Sequence, residues 1–172
     1  MATSTTRSAK HGILAEDKSE IRGQIIEGLT KAYWMEIETV MSYIANSVNP
    51  DGLRAQEVKE SLEEDIQEEL GHAQEFGRRI KELYGVVPGS LDFSAEQSYL
   101  QPPEHQTDIV HVIKGVIEAE SGAIQHYNQI IEFCEGKDPV TQDMVTAILQ
   151  DEEGHRRLFE GFLREFEVEG KA

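Results

Sequence analysis

Two short stretches of this sequence repeat one pattern: EELGHAQEF at residues 68–76 and DEEGHRRLF at residues 151–159. In each stretch a glutamate is followed three residues later by a histidine, Glu69 by His72 and Glu152 by His155. Residues three apart lie on the same face of an α-helix. Because each stretch lies in a segment with helical periodicity, two separate helices each present a carboxylate and an imidazole side by side.

Four segments of the chain carry apolar residues at helical spacing: roughly 20–48, 54–84, 107–134 and 139–167. Turn signals at Pro50 and Gly52 separate the first two segments, and Gly136 and Pro139 separate the last two. Connections this short join antiparallel neighbours, so the chain is expected to form two helical hairpins. Asp138 before Pro139 also has the pattern of a helix N-cap.

The connection between the two predicted hairpins is much longer. Residues 85–106 are enough to run the length of a bundle, and SAEQSYL at 94–100 predicts a short helix capped by Ser94. The sequence therefore predicts an all-α, four-helix bundle over residues 20–172, with one long crossover between helices two and three. A segment without periodicity, residues 1–19, is expected to be a flexible N-terminal tail.

The composition is that of a globular chain with a large acidic excess. Of 172 residues, 33 are acidic and 16 are basic, and the net charge is −17. This balance disfavours nucleic acid, whose phosphates are bound through Lys and Arg. No apolar run reaches the roughly 18–20 residues of a membrane span, and the N-terminus lacks a secretory signal. The single cysteine, Cys134, fits a reducing compartment. We therefore expect a cytoplasmic protein.

Six ionisable residues interrupt the apolar stripes at core-facing positions on all four helices: Glu36, Glu69, His72, Glu120, Glu152 and His155. Four buried carboxylates without partners repel one another and lose their hydration. A network of buried salt bridges is a weak explanation, because two histidines are too few to pair with four acids. Two divalent cations would balance them. Oxygen and imidazole ligands suit iron or manganese, and the lack of thiolate argues against structural zinc.

The two halves of the chain repeat this arrangement. Glu36 is followed seven residues later by Tyr43, and Glu120 seven residues later by Tyr127. The spacing from each of these glutamates to the next Glu-x-x-His is 33 residues in the first half and 32 in the second. Two hairpins related by a pseudo-two-fold axis would bring all of these groups together at the centre of the bundle.

The full ligand set, in this order, resembles that of the ferritin-like di-iron carboxylate superfamily. The ligand pattern is most similar to bacterioferritins and to Dps-like (mini-ferritin) proteins, and the resemblance covers about residues 20–167. It implies two iron ions per chain, with manganese as the other possible metal. It further implies that Glu69 and Glu152 bridge the metals, that Glu36 and Glu120 are terminal ligands, and that the two histidines complete the coordination.

The resemblance also implies roles for residues around the metals. Tyr43 and Tyr127 would be hydrogen-bond partners of the ligands or electron donors, although a tyrosine on a helical stripe is as often a core residue with a satisfied hydroxyl. Asp65 and Glu68 would help to pass iron between the surface and the site. Cys134, near the end of helix three, is interpreted as a small buried hydrophobe and not as a redox centre.

Several differences from the related families bear on whether the protein has haem, a rubredoxin-like domain or a large shell. Leu70 stands where bacterioferritins have the haem-binding methionine, so no haem is expected. No cysteine pairs for a rubredoxin-like domain are present, and no fifth helix follows helix four. The missing fifth helix and the possible helix in the crossover resemble the smaller, twelve-subunit Dps-like shells, so such a shell is favoured, with a plain dimer as the alternative. Many such proteins carry a cysteine pair near the third-helix glutamate, whereas Ser121 and Gly122 follow Glu120 here.

The function predicted from the resemblance is a ferroxidase that also stores and detoxifies iron, with dioxygen or hydrogen peroxide as the oxidant of Fe(II). One alternative is a di-metal enzyme that stores nothing, such as a rubrerythrin-like peroxidase, a manganese catalase or an oxygenase. Another is a DNA-compacting shell, but Arg7, Lys10 and Lys18 are few basic residues against a net charge of −17.

Overall fold

The computed structural model describes residues 12–170. Within this range the chain forms four long helices and no strand: α1 (Ser19–Val48), α2 (Gln56–Glu82), α3 (Ile109–Cys134) and α4 (Pro139–Val168). The all-α prediction is confirmed, and each predicted helix end lies within two residues of the observed end. None of these helices combines the length and the apolarity that crossing a bilayer requires.

The helices pair as two hairpins. The most extensive packing is between α1 and α2 and between α3 and α4, and α1 also packs along α3. By contrast, α2 and α4 contact each other least of these pairs. The α2–α4 side is therefore the side on which the interior of the bundle lies nearest to solvent.

The short α3–α4 connection is built from the turn signals in the sequence. Gly136 adopts φ +67°, a conformation that side chains disfavour. Asp138 is the N-cap of α4, accepting a hydrogen bond from the backbone N–H of Thr141, and Pro139 is the first helical residue. Arg79 Nη2, on α2, donates to both carboxylate oxygens of the buried Asp138 at 2.9 Å. The cap thus also ties the end of α2 to the start of α4.

The apolar core is divided into two clusters, one toward each end of the bundle. One contains Leu29, Phe76 and Tyr127, and the other contains Tyr43 and Phe159, and each of these side chains is fully buried. Burying a large apolar side chain contributes about 1.5–3 kcal/mol, so these clusters supply most of the driving force for folding. On every helix, the ionisable residues singled out above fall between the two clusters.

The prediction for the crossover is wrong in one respect. Instead of a helix over 94–100, the structure has an extended segment followed by a single 3-10 turn, Ser98–Leu100. Ser94 caps no helix, and the turn begins after Gln97. A second 3-10 turn, Ser90–Asp92, lies earlier in the crossover.

Helix α1 determines this extended conformation. The backbone N–H groups of Glu96 and Gln97 both donate to the carboxylate of Glu38, at 2.9 and 2.7 Å. The buried side chain of Gln97 donates to Thr39 Oγ1 at 2.9 Å. Because tertiary contacts satisfy these backbone donors, the segment does not need helical hydrogen bonds.

The ordered structure begins before residue 20. Two 3-10 turns, Gly12–Leu14 and Glu16–Lys18, lead into α1. Ile13 is buried against the core, and Arg22 Nη1 donates to its carbonyl oxygen at 3.0 Å. Residues 1–11 lie outside the described residues, so the flexible tail stays a prediction for that part of the chain.

Candidate metal centre

The structure brings all six predicted ligands together between the two apolar clusters. They come from all four helices, with one glutamate each from α1 and α3 and a Glu-x-x-His pair each from α2 and α4. None of the six is more than 8% exposed. The helical hairpins position these groups because each interrupts its apolar stripe at a similar depth in the bundle.

The six residues form two overlapping groups with the spacing of metal ligands. One group is Glu36, Glu69, His72 and Glu152, and the other is Glu69, Glu120, Glu152 and His155. Within each group, one potential ligand atom per residue lies within 4.8 Å of every other. The glutamates of the two Glu-x-x-His pairs belong to both groups, whereas each remaining residue belongs to one. This is the pattern that two cations bridged by two carboxylates require.

Several inward-facing polar atoms in this cluster are buried and have no partner in good hydrogen-bond geometry, and their close contacts are with other members of the cluster: Glu69 Oε1 and Oε2, Glu152 Oε1, His72 Nδ1 and His155 Nδ1. Nδ1 of His72 lies 3.1 Å from Glu152 Oε1 and 3.4 Å from Glu69 Oε2. Nδ1 of His155 lies 3.5 Å from Glu69 Oε1 and from Glu152 Oε2. Buried polar atoms are rarely left unsatisfied. The donor set fits cations that accept lone pairs from oxygen and nitrogen.

In the cluster without metal, burial and the neighbouring carboxylates shift the pKa values of the glutamates. Burial, together with the charges of Glu69 and Glu152, raises the pKa values of Glu36 and Glu120 well above their usual range. Burial also opposes ionisation of Glu69, but close contacts with the rings of the two histidines lower the pKa of this carboxyl to about 2.

The two histidines show the converse shift. Burial disfavours their charged forms, but the neighbouring carboxylates of Glu152 and Glu69 outweigh it and raise the pKa of His72 to about 10 and that of His155 to about 12. Without metal, the imidazolium rings therefore take the place of the cations. This arrangement holds the ligands in position and leaves protons that a metal has to displace.

Each of the two tyrosines predicted from the repeat donates a hydrogen bond to a glutamate of the other hairpin. Tyr43 on α1 donates to Glu120 on α3, and Tyr127 on α3 donates to Glu36 on α1. Burial raises the pKa of both hydroxyls well above its usual range, which keeps them protonated donors. Both tyrosines are thus core residues and also partners of the carboxylates.

The outer nitrogens of the histidines face acids across the α2–α4 side. His155 Nε2 lies 3.0 Å from Glu68 Oε2 and 3.7 Å from Asp65 Oδ1. His72 Nε2 lies 3.4 Å from Asp151 Oδ2. Sequence reasoning singled out Asp65 and Glu68 but missed Asp151. The repeat itself contained the signal, because Asp151 precedes its Glu-x-x-His as Glu68 precedes the other.

Two further residues with reactive side chains lie away from this cluster. Cys134 is buried, and burial raises the pKa of its thiol to about 11, as expected for a small buried hydrophobe. His126 is half-buried, and its Nε2 lies 2.9 Å from the carbonyl oxygen of Gly28. Burial lowers the pKa of this ring, so it is a neutral packing residue.

A four-helix bundle whose centre brings carboxylates and histidines together in two overlapping groups, each with the spacing of metal ligands, is the architecture of ferritin-like proteins. Comparison with known families agrees with this assignment. The family described as "Ferritin-like domain" matches residues 26–168, and the chain belongs to that family.

Relatives of the chain include two named types. A protein of Pyrococcus furiosus named "DNA protection during starvation protein" is 34% identical over 145 residues, which cover 81% of this chain and 77% of that protein. A bacterioferritin of Desulfovibrio desulfuricans is 24% identical over 148 residues, covering 86% and 78%. Among solved structures, a dodecameric thioferritin of Bacteroides fragilis superposes with a TM-score of 0.75 at 24% identity, covering 91% of this chain and 98% of that one.

Proposed function

We propose that the protein is a ferroxidase that takes up Fe(II) at the buried centre and transfers Fe(III) to an iron store. The observation that supports this proposal is the arrangement of buried carboxylate oxygens and histidine nitrogens in two overlapping groups that have the spacing of metal ligands. Each Fe(II) gives up one electron. Two of them together reduce dioxygen to hydrogen peroxide, or hydrogen peroxide to two waters, with two protons consumed in either case.

In this proposal the protein supplies fixed ligands and a dry site. Glu69 and Glu152 would contact both metals, because each belongs to both groups. The remaining glutamates and histidines would each bind one metal. Two divalent cations balance the four carboxylates once the histidines are neutral, so binding removes the repulsion that raises the pKa values of Glu36 and Glu120. Iron is the metal we favour, and manganese is compatible with the same ligands.

Tyr43 and Tyr127 would orient the two terminal glutamates. Each hydroxyl donates to one carboxylate oxygen, which leaves the other oxygen of that carboxylate free to face a metal. Hydrogen bonds to ligands of this kind maintain their geometry. Their protonated state also makes both tyrosines available as electron donors during oxidation.

The experiment that tests the centre is Fe(II) oxidation by the Glu69→Gln variant. This substitution preserves the size of the side chain but removes a charge that both metals would share. We expect the rate of Fe(II) oxidation, measured from the absorbance of the ferric product, to fall by at least about 100-fold. That is the upper range for losing a hydrogen-bond partner of a metal ligand, and here a ligand itself is changed. Glu75→Gln is the matched control, because Glu75 lies on the same helix and is exposed. Equal rates in the wild type and Glu69→Gln would contradict the proposal.

A further inference from the structure

A large hollow lies on the α1–α3 side of the bundle, separate from the carboxylate–histidine centre. Residues of α1, α3 and the crossover line it, its volume is about 800 Å³, and none of the six candidate metal ligands is part of its wall. Small-molecule sites in proteins usually have volumes of about 300–1,000 Å³, aromatic walls and a few well-placed polar groups. The hollow therefore has the size and the kind of lining that a small organic molecule requires.

Contacts with α1 fix the crossover wall of this hollow. Gln97 is buried, its backbone N–H donates to Glu38 at 2.7 Å, and its side-chain amide donates to Thr39 Oγ1 at 2.9 Å. The ring of Phe93 packs against that of Trp34, with 5.4 Å between the ring centroids. Because none of these contacts needs a ligand, the hollow is already formed in the free protein.

The walls of the hollow include aromatic side chains from two elements. Trp34 of α1 and Tyr99 of the crossover both line it, and both are partly exposed. On α3, Gly122 contributes no side chain, and a Cβ atom at that position would lie 3.7 Å from Tyr99 Oη. The faces of tryptophan and tyrosine rings attract ammonium and guanidinium groups. The aromatic walls are thus suited to an apolar molecule that also carries a positive charge.

The charged groups of the hollow are mostly acidic. Glu27, Asp92 and Glu96 line it, are exposed, and form no ion pair within the described part of the chain. Lys31 is the one lysine or arginine among the described residues of the wall. Carboxylates that no cation compensates attract positively charged ligands and repel anions. The charge of the wall therefore favours a cation and disfavours phosphates and carboxylates as ligands.

Two titratable residues of the wall leave this acidic balance unchanged at neutral pH. Burial, together with the charges of Glu38 and Glu118, raises the pKa of the Tyr99 hydroxyl, which stays a neutral donor. Burial lowers the pKa of the His126 ring, so this ring adds no positive charge. A ligand in the hollow would thus meet carboxylates, one ammonium group and neutral side chains.

We propose that this hollow is a binding site for an organic cation in which an ammonium or guanidinium group is attached to an apolar body. The rings of Trp34 and Tyr99 would contact the ligand, and the exposed acids would attract its charge. This inference does not rest on the proposed ferroxidase, because it uses none of the candidate metal ligands. It adds a second binding site, for a different class of ligand, on the side of the bundle opposite the outer nitrogens of the histidines.

The test is a fluorescence titration of the purified protein in its own oligomeric state. Trp34 is the only tryptophan of the sequence, so its emission reports the hollow alone. The probes are benzylammonium, benzyl alcohol and benzoate, which share one ring and differ in charge. We expect a saturable change with benzylammonium and at least about tenfold weaker binding of the other two, because only the cation gains from the rings and the acids together.

Variants of the acids test the contribution of charge. Glu27→Gln and Glu96→Gln are each expected to weaken benzylammonium binding by about two- to fivefold, the effect of one exposed charge, and to leave benzyl alcohol binding unchanged. The backbone N–H of Glu96 still donates to Glu38 in that variant. Glu63→Gln is the matched control, because Glu63 is an exposed acid of α2 outside the hollow.

Two further variants test the location. Gly122→Leu is expected to fill the hollow and abolish binding, and it should fold because leucine favours a helix more than glycine does. Trp34→Leu removes the ring that attracts the cation. Saturation-transfer NMR of the probes replaces fluorescence for this variant, and we expect the preference for benzylammonium over benzyl alcohol to fall by about threefold or more.

Each of the other results would overturn the proposal. These are equal binding of benzylammonium and benzyl alcohol, tighter binding of benzoate, no saturable change with any probe, or binding of benzylammonium that survives Gly122→Leu. Circular dichroism and thermal unfolding of each variant establish that a lost signal reflects the hollow and not a lost fold. Fe(II) oxidation is measured separately, so the cation site and the ferroxidase can fail independently.

Discussion

At the scale of single residues, metal binding replaces the protons on the two histidines of the centre by metal cations. In the metal-free protein, the surrounding carboxylates raise the pKa of His72 to about 10 and that of His155 to about 12, and burial with the charges of Glu69 and Glu152 raises the pKa values of Glu36 and Glu120 well above their usual range. A metal requires neutral imidazoles and ionised carboxylates as ligands. The same side chains are therefore present in the metal-free and the metal-bound protein, and the two states differ in the number of protons bound to these side chains.

Metal binding is expected to release protons and to tighten as the pH rises. The raised pKa values of His72 and His155, about 10 and 12, mean that both rings must lose a proton over the whole neutral range. Calorimetric titration with Co(II) in buffers of different ionisation enthalpy measures this release. A binding heat that does not depend on the buffer would contradict the predicted protonation of the centre.

The free energy of unfolding of the metal-free protein is expected to fall as the pH rises, whereas metal binding tightens. A raised histidine pKa contributes stability that is complete below the unfolded value of about 6.5 and is lost as the pH rises through the folded value. Glu36 and Glu120 act in the same direction, because their neutral forms are favoured in the fold. High pH thus weakens the metal-free protein and strengthens metal binding.

At the scale of elements, the crossover depends on one carboxylate of α1. Glu38 is 5% exposed and accepts the backbone N–H groups of Glu96 and Gln97, which have no helix to satisfy them. A buried carboxylate on two amide donors is a strong, charge-assisted contact. The conformation of a segment nearly sixty residues away in sequence therefore rests on this side chain.

Glu38→Ala is expected to lower the free energy of unfolding by about 1.5–3 kcal/mol, the range for hydrogen bonds to a charged group. Chemical denaturation measures the loss, and faster hydrogen exchange of the Glu96 and Gln97 amides localises it to the crossover. Glu38→Gln keeps one acceptor oxygen and should lose less. Equal exchange of these amides in all three proteins would show that Glu38 does not hold the crossover.

At the scale of the whole molecule, α1 presents an apolar stripe to solvent. Met41, Ile44 and Val48 are 48%, 49% and 68% exposed and lie on one face of the helix. Pro102 and Phe93 of the crossover line a hollow beside Met41. Apolar residues clustered on a surface mark interaction sites. We propose that this face joins copies of the chain, and we favour a twelve-subunit shell over a plain dimer.

Ile44→Glu is expected to place a charge in that interface and to reduce the particle to smaller species. Light scattering of the purified protein measures the change, with Glu63→Gln as the control. Loading both proteins with excess Fe(II) in air, then counting iron per chain after gel filtration, links assembly to storage. Iron far above two per chain in a large particle supports a store. About two per chain in a small oligomer would instead favour the non-storing di-metal enzyme.

The named relatives raise the question whether the assembled protein binds DNA. A DNA-protection protein is among them, whereas this chain carries a net charge of −17. We expect no shift of duplex DNA in a gel at physiological salt, because too few cations are present to neutralise its phosphates. A salt-sensitive shift would contradict this expectation.

Local signals in the sequence determined the helices and the members of the central cluster. Apolar periodicity placed the four helices, the turn residues divided them into hairpins, and the acids and histidines that interrupt the stripes had to meet inside. These features depend on residues within a few positions of one another, so they can be read without knowing how the hairpins pack. The same reasoning failed for residues 94–100, where helical signals compete with contacts made by α1.

Only the tertiary structure decided which groups face each other between elements. Tyr43 bonds Glu120 and not the Glu36 of its own helix, and Asp151 of α4 faces His72 of α2. Such pairs depend on the rotation and the axial offset of one hairpin against the other. Packing of the two apolar clusters sets both quantities, and no local pattern encodes them. The repeat in the sequence is nearly symmetric, and it was the packed structure that turned Asp65 toward only one of the two histidines.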